Sequence, residues 1–220
     1  YTVFAPHVVS PLSKEFEQNL HDFAAVCRVV NGMKRFTIGV IGARTTKFKT
    51  VRYDEITLQK YGITCDTYDL SELFYRVEKM DGNSDAVKAK IEKLIGYTDF
   101  SSVPKDKTET LAKVSVAIDD MMREYHLDCI TLRCWEEMQT VLSVAPCVLL
   151  SELNDRGIVA SCEIDLCSAI NMYSMLLASQ TPTACLDWNN NYGDDPNKVI
   201  LFHCGPVAQS LMDGKGKVTD

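Results

Sequence analysis

Two carboxylates stand at matching points of the sequence, each at the end of an apolar run. Glu163 closes the run 157–162, and Asp187 closes the run 182–186. Between them lies a helix-length apolar segment, residues 164–179, so the layout predicts strand, helix, strand. In a parallel βαβ unit the strand ends lie side by side at the carboxyl edge of the sheet. Two carboxylates that converge there suit a divalent metal or general acid–base chemistry.

The spacing of Glu163 and Asp187 also allows a purely structural role, since acidic residues often end strands and cap the following helix. Asp187 leads into a polar cluster with an aromatic residue, Trp188 and Asn189, which is typical of sugar sites and makes both candidate substrate contacts. Glu163 directly follows an apolar run, where an unpaired carboxylate is costly unless it meets a metal or a donor. Spacing alone leaves both roles open.

Two further candidates follow predicted strands. His203 comes after the apolar run 199–202, where it is a candidate metal ligand or acid–base group, or a histidine that is merely hydrogen-bonded at a turn. Trp135 follows the predicted strand 129–132 and is a candidate for the wall of a substrate pocket, with core packing as the rival role.

The loop after the first predicted strand, residues 36–41, is a candidate nucleotide site. Its glycines, Gly39 and Gly42, lack the G-x-G-x-x-G spacing that lets the backbone approach a pyrophosphate, so a nucleotide cofactor is disfavoured. Arg44 and Arg52 flank this loop and are either anion-binding residues or surface arginines without a function.

The elements that must position these residues alternate between helix and strand. Residues 1–80 alternate at the short spacing of a doubly wound parallel sheet, residues 81–127 predict a helical connection, and residues 128–220 predict a second α/β unit that carries the candidate site. The predicted fold class is therefore α/β, with a flavodoxin- or Rossmann-like parallel sheet followed by that second unit.

The net charge and the cysteine pattern of the sequence bear on the classes of partner and on the location of the protein. The 220-residue chain has a net charge of −7 and no basic stripe, which disfavours a nucleic acid or an anionic membrane. Its nine cysteines include no C-x-x-C pair and no Cys/His spacing of a structural zinc site, so we expect reduced thiols and a cytoplasmic location. No apolar run is long enough to cross a bilayer.

Scattered motifs over most of the chain resemble those of L-fucose isomerase-like proteins. The stretches that carry the resemblance include Ile41-Gly42-Ala43-Arg44, Arg133-Cys134-Trp135, Cys162-Glu163-Ile164-Asp165 and His203-Cys204-Gly205. The resemblance implies a metal-dependent aldose–ketose isomerase of the L-fucose/L-arabinose type, usually with Mn²⁺. It implies a sugar substrate, proton transfer between C1 and C2 through an ene-diol, and a homo-oligomer of multidomain subunits.

The same resemblance implies site residues. The family's metal-binding glutamate matches Glu163 and its aspartate matches Asp187, so both are implied as metal ligands and catalytic groups. The family's histidine ligand lies in a later region, so His203 is a third candidate ligand or a pocket residue. Because family chains are longer, we expect this chain to be a fragment whose site is incomplete. The alternative is a non-catalytic sugar-binding or regulatory α/β module.

Overall fold

The central feature of the molecule is one parallel sheet with the strand order β2-β1-β3-β4. The computed structural model describes residues 8–219. The strands are β1 (Phe36–Ile41), β2 (Ile63–Tyr68), β3 (Cys129–Leu132) and β4 (Ala160–Cys162), and every neighbouring pair is parallel. The predicted α/β class with a parallel sheet is confirmed. Since β1 pairs with β3, strands from the two predicted units share this sheet, and the division into domains stays a prediction.

Helices cover both faces of the sheet. They are α1 (Lys14–Met33), α2 (Glu55–Lys60), α3 (Leu70–Lys79), α4 (Asp85–Tyr97), α5 (Lys105–Glu124), α6 (Glu137–Val141), α7 (Cys147–Asp155) and α8 (Leu166–Ser179). One buried cluster joins Ile41, Ile130 and Leu132 to α3, α4, α5 and α7. A second cluster joins the other face of the strands, including Ile38 and Val40, to α8. Burial on both faces explains why β1 and β3 are short apolar runs rather than alternating ones.

The first helix begins at a side-chain cap that differs from the expected starting point. The pair Ser10 and Pro11 predicts the start of the first helix, but α1 begins at Lys14 because the Ser13 side chain accepts a hydrogen bond from the backbone N–H of Phe16.

None of the helices within residues 8–219 combines the length and the apolar character needed to cross a membrane.

The predicted parallel strand ending at Asp187 is wrong. Residues 182–186 are irregular, and Asp187 begins β5 (Asp187–Tyr192), which pairs antiparallel with β6 (Asp195–Phe202) in a separate two-stranded sheet. The predicted strand 199–202 lies in β6, but it is largely exposed rather than buried. The physical reason is the turn between Tyr192 and Asp195, where Gly193 has φ +56° and closes a two-residue hairpin loop.

Candidate active site

The short edge strand β4 is held in place by the buried side chain of Asn154 at the end of α7. The Asn154 amide donates to the carbonyl oxygens of Leu150 (2.8 Å) and Ala160 (2.9 Å), and its oxygen accepts from the Ala160 N–H at 3.1 Å. The backbone N–H and carbonyl of Ala160 point away from β3, because the N–H of Ile130 in β3 donates to the carbonyl oxygen of Val159 instead. Asn154 therefore satisfies the open side of β4 and fixes the strand that leads into the site.

Glu163 lies at the carboxyl end of β4 in a turn with unusual backbone angles. Both Glu163 (φ +64°) and Ile164 (φ +61°) adopt the left-handed conformation, which non-glycine residues seldom take. Asp165 then caps α8, accepting bonds from the Ser168 N–H (3.0 Å) and hydroxyl (2.6 Å). The turn thus joins β4 to α8 within three residues and leaves the Glu163 side chain half-buried at the sheet edge.

Two cysteines meet Glu163 at this edge. Leu132 of β3 is paired with Cys162 of β4, so Cys134 lies just beyond the end of the neighbouring strand. One possible ligand atom each from Cys134, Cys162 and Glu163 lies within 4.8 Å of the other two. Both cysteines are buried, with 8% and 3% of their surface exposed. The end of the sheet therefore holds two thiols and a carboxylate together.

His203 joins the same group from the end of β6. Its Nδ1 lies 2.9 Å from the carbonyl oxygen of Cys185, and its Nε2 lies 3.3 Å from Sγ of Cys162. A carbonyl oxygen can only accept, so Nδ1 carries the hydrogen in that bond and the lone pair of the neutral ring is on Nε2. In its neutral form the histidine thus presents an acceptor nitrogen to the thiol of Cys162, whereas in its charged form both ring nitrogens donate.

The electrostatics of the site centre on the carboxyl of Glu163. Burial raises the pKa of Glu163, His203 opposes that rise, and the nearby charges of Asp187 and Asp165 add to it; the net shift is upward. A carboxyl with a raised pKa exchanges its proton closer to neutral pH than an ordinary glutamate does. That is the property of a general acid or base.

Comparison with known proteins finds relatives that are sugar isomerases by name. The chain is similar to sulfoquinovose isomerases. It is 28% identical over 208 residues to the sulfoquinovose isomerases of Priestia aryabhattai and Priestia megaterium, covering 93% of this chain and 46% of each relative. The enzyme of Alkalicoccus urumqiensis is 25% identical over 206 residues, covering 92% of this chain and 45% of the relative. No family model matches the chain.

The chain spans about half the length of the sulfoquinovose isomerases it matches. The similarity extends over nearly all of this chain, so it does not depend on one motif. These relatives are sugar isomerases by name, which is the reaction class that the sequence motifs imply. The narrower assignment to the L-fucose isomerase-like family stays a prediction.

The other predicted site residues lie around this group rather than within it. Asp187 is exposed at the base of the β5–β6 hairpin, close enough to influence the pKa of Glu163. Within residues 8–219, Cys134, Cys162 and Glu163 are the only three possible metal ligands whose ligand atoms all lie within 4.8 Å of one another. Neither Asp187 nor His203 belongs to this group. Trp188 is 77% exposed and Asn189 is also exposed. Their roles as metal ligand and substrate contacts stay predictions.

Trp135 and Arg44 belong to the loops at the carboxyl edge. Trp135 is 40% exposed and stacks on Phe48, with ring centroids 5.4 Å apart. Its partly exposed ring is suited to a pocket wall, the role predicted for it. Arg44 donates to three backbone carbonyls, those of Thr45, Thr46 and Phe48, at 3.0 to 3.3 Å. Those bonds hold the loop in shape and account for Arg44 without a bound anion.

A cavity of about 720 Å³ opens beside His203. It is bordered by polar side chains from several elements, among them Gln139, Ser151, Gln209 and Lys107. Its volume lies within the range of small-molecule sites. The histidine of the site therefore faces a space large enough for a sugar.

Sequence reasoning missed Cys134 and Cys162 as members of the site. It treated all nine cysteines as buried, reduced thiols, because the sequence has no C-x-x-C pair and no Cys/His spacing of a structural zinc site. A weaker signal was present, since each of the two follows or ends a predicted strand just as Glu163 does. Recognising them required the knowledge that β3 and β4 are neighbours.

Proposed function

We propose that this chain is part of a metal-dependent aldose–ketose isomerase, which moves a proton between C1 and C2 of a sugar through an ene-diol. The observation that carries the proposal is Glu163, a half-buried carboxyl with a raised pKa at the carboxyl edge of a parallel sheet. Similarity to sulfoquinovose isomerases over 93% of the chain supports the same reaction class.

Glu163 is the proposed base. Above its raised pKa the carboxylate is ionised and accepts the proton from one carbon; once protonated, it can return that proton to the neighbouring carbon. The environment suits this exchange because burial and the charge of Asp187 both favour the protonated form, while His203 favours the ionised form. Asp187 is the proposed second acid–base group.

The proposed cofactor is a divalent metal, with Mn²⁺ as the first candidate. When bound, such an ion would supply Lewis-acid stabilisation of the negative charge that develops on the sugar oxygens. Glu163 and Asp187 would hold it, with His203 as a candidate third ligand. The fit is supported by charge, because the carboxylate of Asp187 disfavours the ionisation of Glu163 and a shared cation would relieve that repulsion. Carboxylate oxygens are also the donors that Mn²⁺ prefers.

The proposed substrate is a free sugar. The names of the relatives make sulfoquinovose the first sugar to test, and the sequence motifs add L-fucose and L-arabinose. The experiment measures turnover of all three by the full-length protein with Mn²⁺. Glu163→Gln should lower kcat by about 10²–10⁴-fold or more, since the amide keeps the shape but cannot take a proton.

Glu92→Gln, an exposed glutamate on α4, is the matched control and should keep full turnover. A Glu163→Gln enzyme with undiminished turnover on its best sugar would contradict the proposal. Tight sugar binding by the full-length protein without turnover of any of the three sugars would favour the alternative, a non-catalytic sugar-binding module.

We also propose that the full-length protein is a cytoplasmic homo-oligomer. The location is supported by the cysteine usage of the sequence. The assembly is supported by the β5–β6 hairpin, which exposes Trp188, Leu201 and Phe202 at 77%, 51% and 55% of their surface. Sedimentation of the full-length protein at micromolar concentration should give a species larger than a monomer. A monomer alone would refute the assembly.

A further inference from the structure

The group at the ends of β3, β4 and β6 includes two cysteines that the proposed isomerase does not use. Of its four polar members, Cys134 and Cys162 offer sulfur and His203 offers a nitrogen, while Glu163 alone offers oxygen. Thiol and imidazole donors select zinc-like cations, whereas Mn²⁺ and Mg²⁺ favour carboxylates, carbonyls and water. The two cysteines therefore need a different explanation from the proposed Mn²⁺ ligands.

Three of the four possible ligands lie at mutual distances that suit a tetrahedral cation site. Zinc bonds of about 2.3 Å to sulfur and 2.0–2.1 Å to nitrogen place neighbouring S and N ligands about 3.5 Å apart, and two sulfurs about 3.8 Å apart. The distance from Cys162 Sγ to His203 Nε2 is 3.3 Å. Ligand atoms of Cys134, Cys162 and Glu163 all lie within 4.8 Å of one another. His203 lies outside this group of three, so binding of a cation by all four residues requires the His203 ring to move towards it.

A second, independent feature is the orientation of the histidine. Histidines that bind metals usually donate their other ring N–H to a carbonyl or carboxylate, which fixes the tautomer and the plane of the ring. His203 does this, since Nδ1 lies 2.9 Å from the carbonyl oxygen of Cys185. His203 also borders the cavity of about 720 Å³, which provides an entry path for a cation.

We propose that Cys134, Cys162 and His203 form a binding site for a thiophilic divalent cation such as Zn²⁺, with the carboxylate of Glu163 as the fourth ligand. The binding site itself does not depend on the isomerase proposal. Its consequence does: because Glu163 is shared, a bound Zn²⁺ would occupy the proposed base and inhibit turnover. The site is therefore also an inhibitory one, if the proposed function is correct.

The test titrates the full-length protein, with its thiols kept reduced, with Cd²⁺ as a probe of Zn²⁺ sites. A cadmium–thiolate bond gives an intense ultraviolet charge-transfer band, which reports sulfur coordination without any sugar or turnover. We expect the band to saturate at one tightly bound ion per chain and to be displaced by Zn²⁺.

Variants assign the ligands. Cys134→Ser and Cys162→Ser should each weaken the band and raise the Kd by more than the roughly 10–100-fold that loss of an outer-shell partner costs. His203→Ala should raise the Kd while the band remains. Cys167→Ser is the matched control, because Cys167 is an exposed cysteine outside this group, and it should bind as the wild type does. Equal Kd values for the Cys134, Cys162 and Cys167 variants would overturn the site.

Because Cys134 and Cys162 are buried, a serine at either position can prevent folding, so the test also includes a measurement on the unaltered protein. There, Zn²⁺ should slow alkylation of these two cysteines, mapped by mass spectrometry, and leave Cys167 unaffected. Equal labelling with and without Zn²⁺ would also overturn the site. The two proposals fail separately. If the cadmium band appears and depends on Cys134 but the protein turns over no sugar, only the isomerase is refuted. If turnover is normal but the band is absent, only the cation site is refuted.

Discussion

The stability of the site strand should depend strongly on Asn154. Its side chain is only 3% exposed and satisfies both the N–H and the carbonyl of Ala160, which is itself fully buried. Asn154→Ala leaves these two backbone groups without partners. Each unsatisfied buried group costs about 1–3 kcal/mol, so the variant should lose about 2–6 kcal/mol of unfolding free energy. The loss is a large part of the stability of a typical domain, about 5–15 kcal/mol.

The assay is urea unfolding followed by circular dichroism, comparing midpoints at unchanged slope. Asn83→Ala, at an exposed position before α4, is the matched control and should stay within about 0.5 kcal/mol of the wild type. Asn154→Asp adds a sharper test, since a buried carboxyl has a folded-state pKa above its unfolded value. Its stability should therefore recover as the pH falls and the protonated acid regains a donor. A loss below about 1 kcal/mol for Asn154→Ala would refute the reasoning.

Two further predictions concern ionisable groups. Burial is the main reason that the pKa of Glu163 is raised, and the charge of His203 opposes that rise. His203→Gln should therefore raise the pKa further and move the acid limb of the kcat/KM profile to higher pH. An unmoved limb would contradict the charge interaction. Burial alone would raise the pKa of Asp119, but hydrogen bonds from Lys90 and Arg156 outweigh it and hold the pKa below its usual value. The stability that these contacts contribute is present above the unfolded pKa of the carboxyl and is lost as the pH falls through the folded one. Asp119→Asn should therefore cost about 1–3 kcal/mol in urea unfolding at neutral pH and less in acid, and a cost independent of pH would count against this.

The strands of the central sheet were predictable because their apolar runs are local. Residues 36–41 and 129–132 were predicted as strands, and they form β1 and β3. The error at residues 182–187 arose because an apolar run of strand length was taken as a buried strand, although the Gly193 turn favours a local hairpin with β6. Pairing across a two-residue loop is available without any tertiary contact, whereas a further parallel strand needs a place in the sheet.

The candidate site was predictable only in part. Glu163 was found because it directly follows an apolar run, where an unpaired carboxylate is costly unless it meets a metal or a donor. His203 was also a candidate, because it follows an apolar run, but the hairpin path that brings it to this site could not be predicted. Cys134 could not be found, because it reaches Glu163 through the order of the strands, which is not encoded in local spacing. Asn154 gave no signal at all, since its role depends on the open edge of a strand six residues away.

The left-handed turn at Glu163 has an evolutionary consequence. A non-glycine residue in this conformation costs roughly 1–2 kcal/mol, and glycine takes the same conformation without a steric penalty. Selection for stability alone would thus favour glycine at position 163, and a glutamate persists there only while its carboxyl is useful. Among diverging copies of this gene, those that no longer need the carboxyl should drift towards glycine at this turn. The residue at position 163 would then distinguish copies that use the carboxyl from copies that have lost its function.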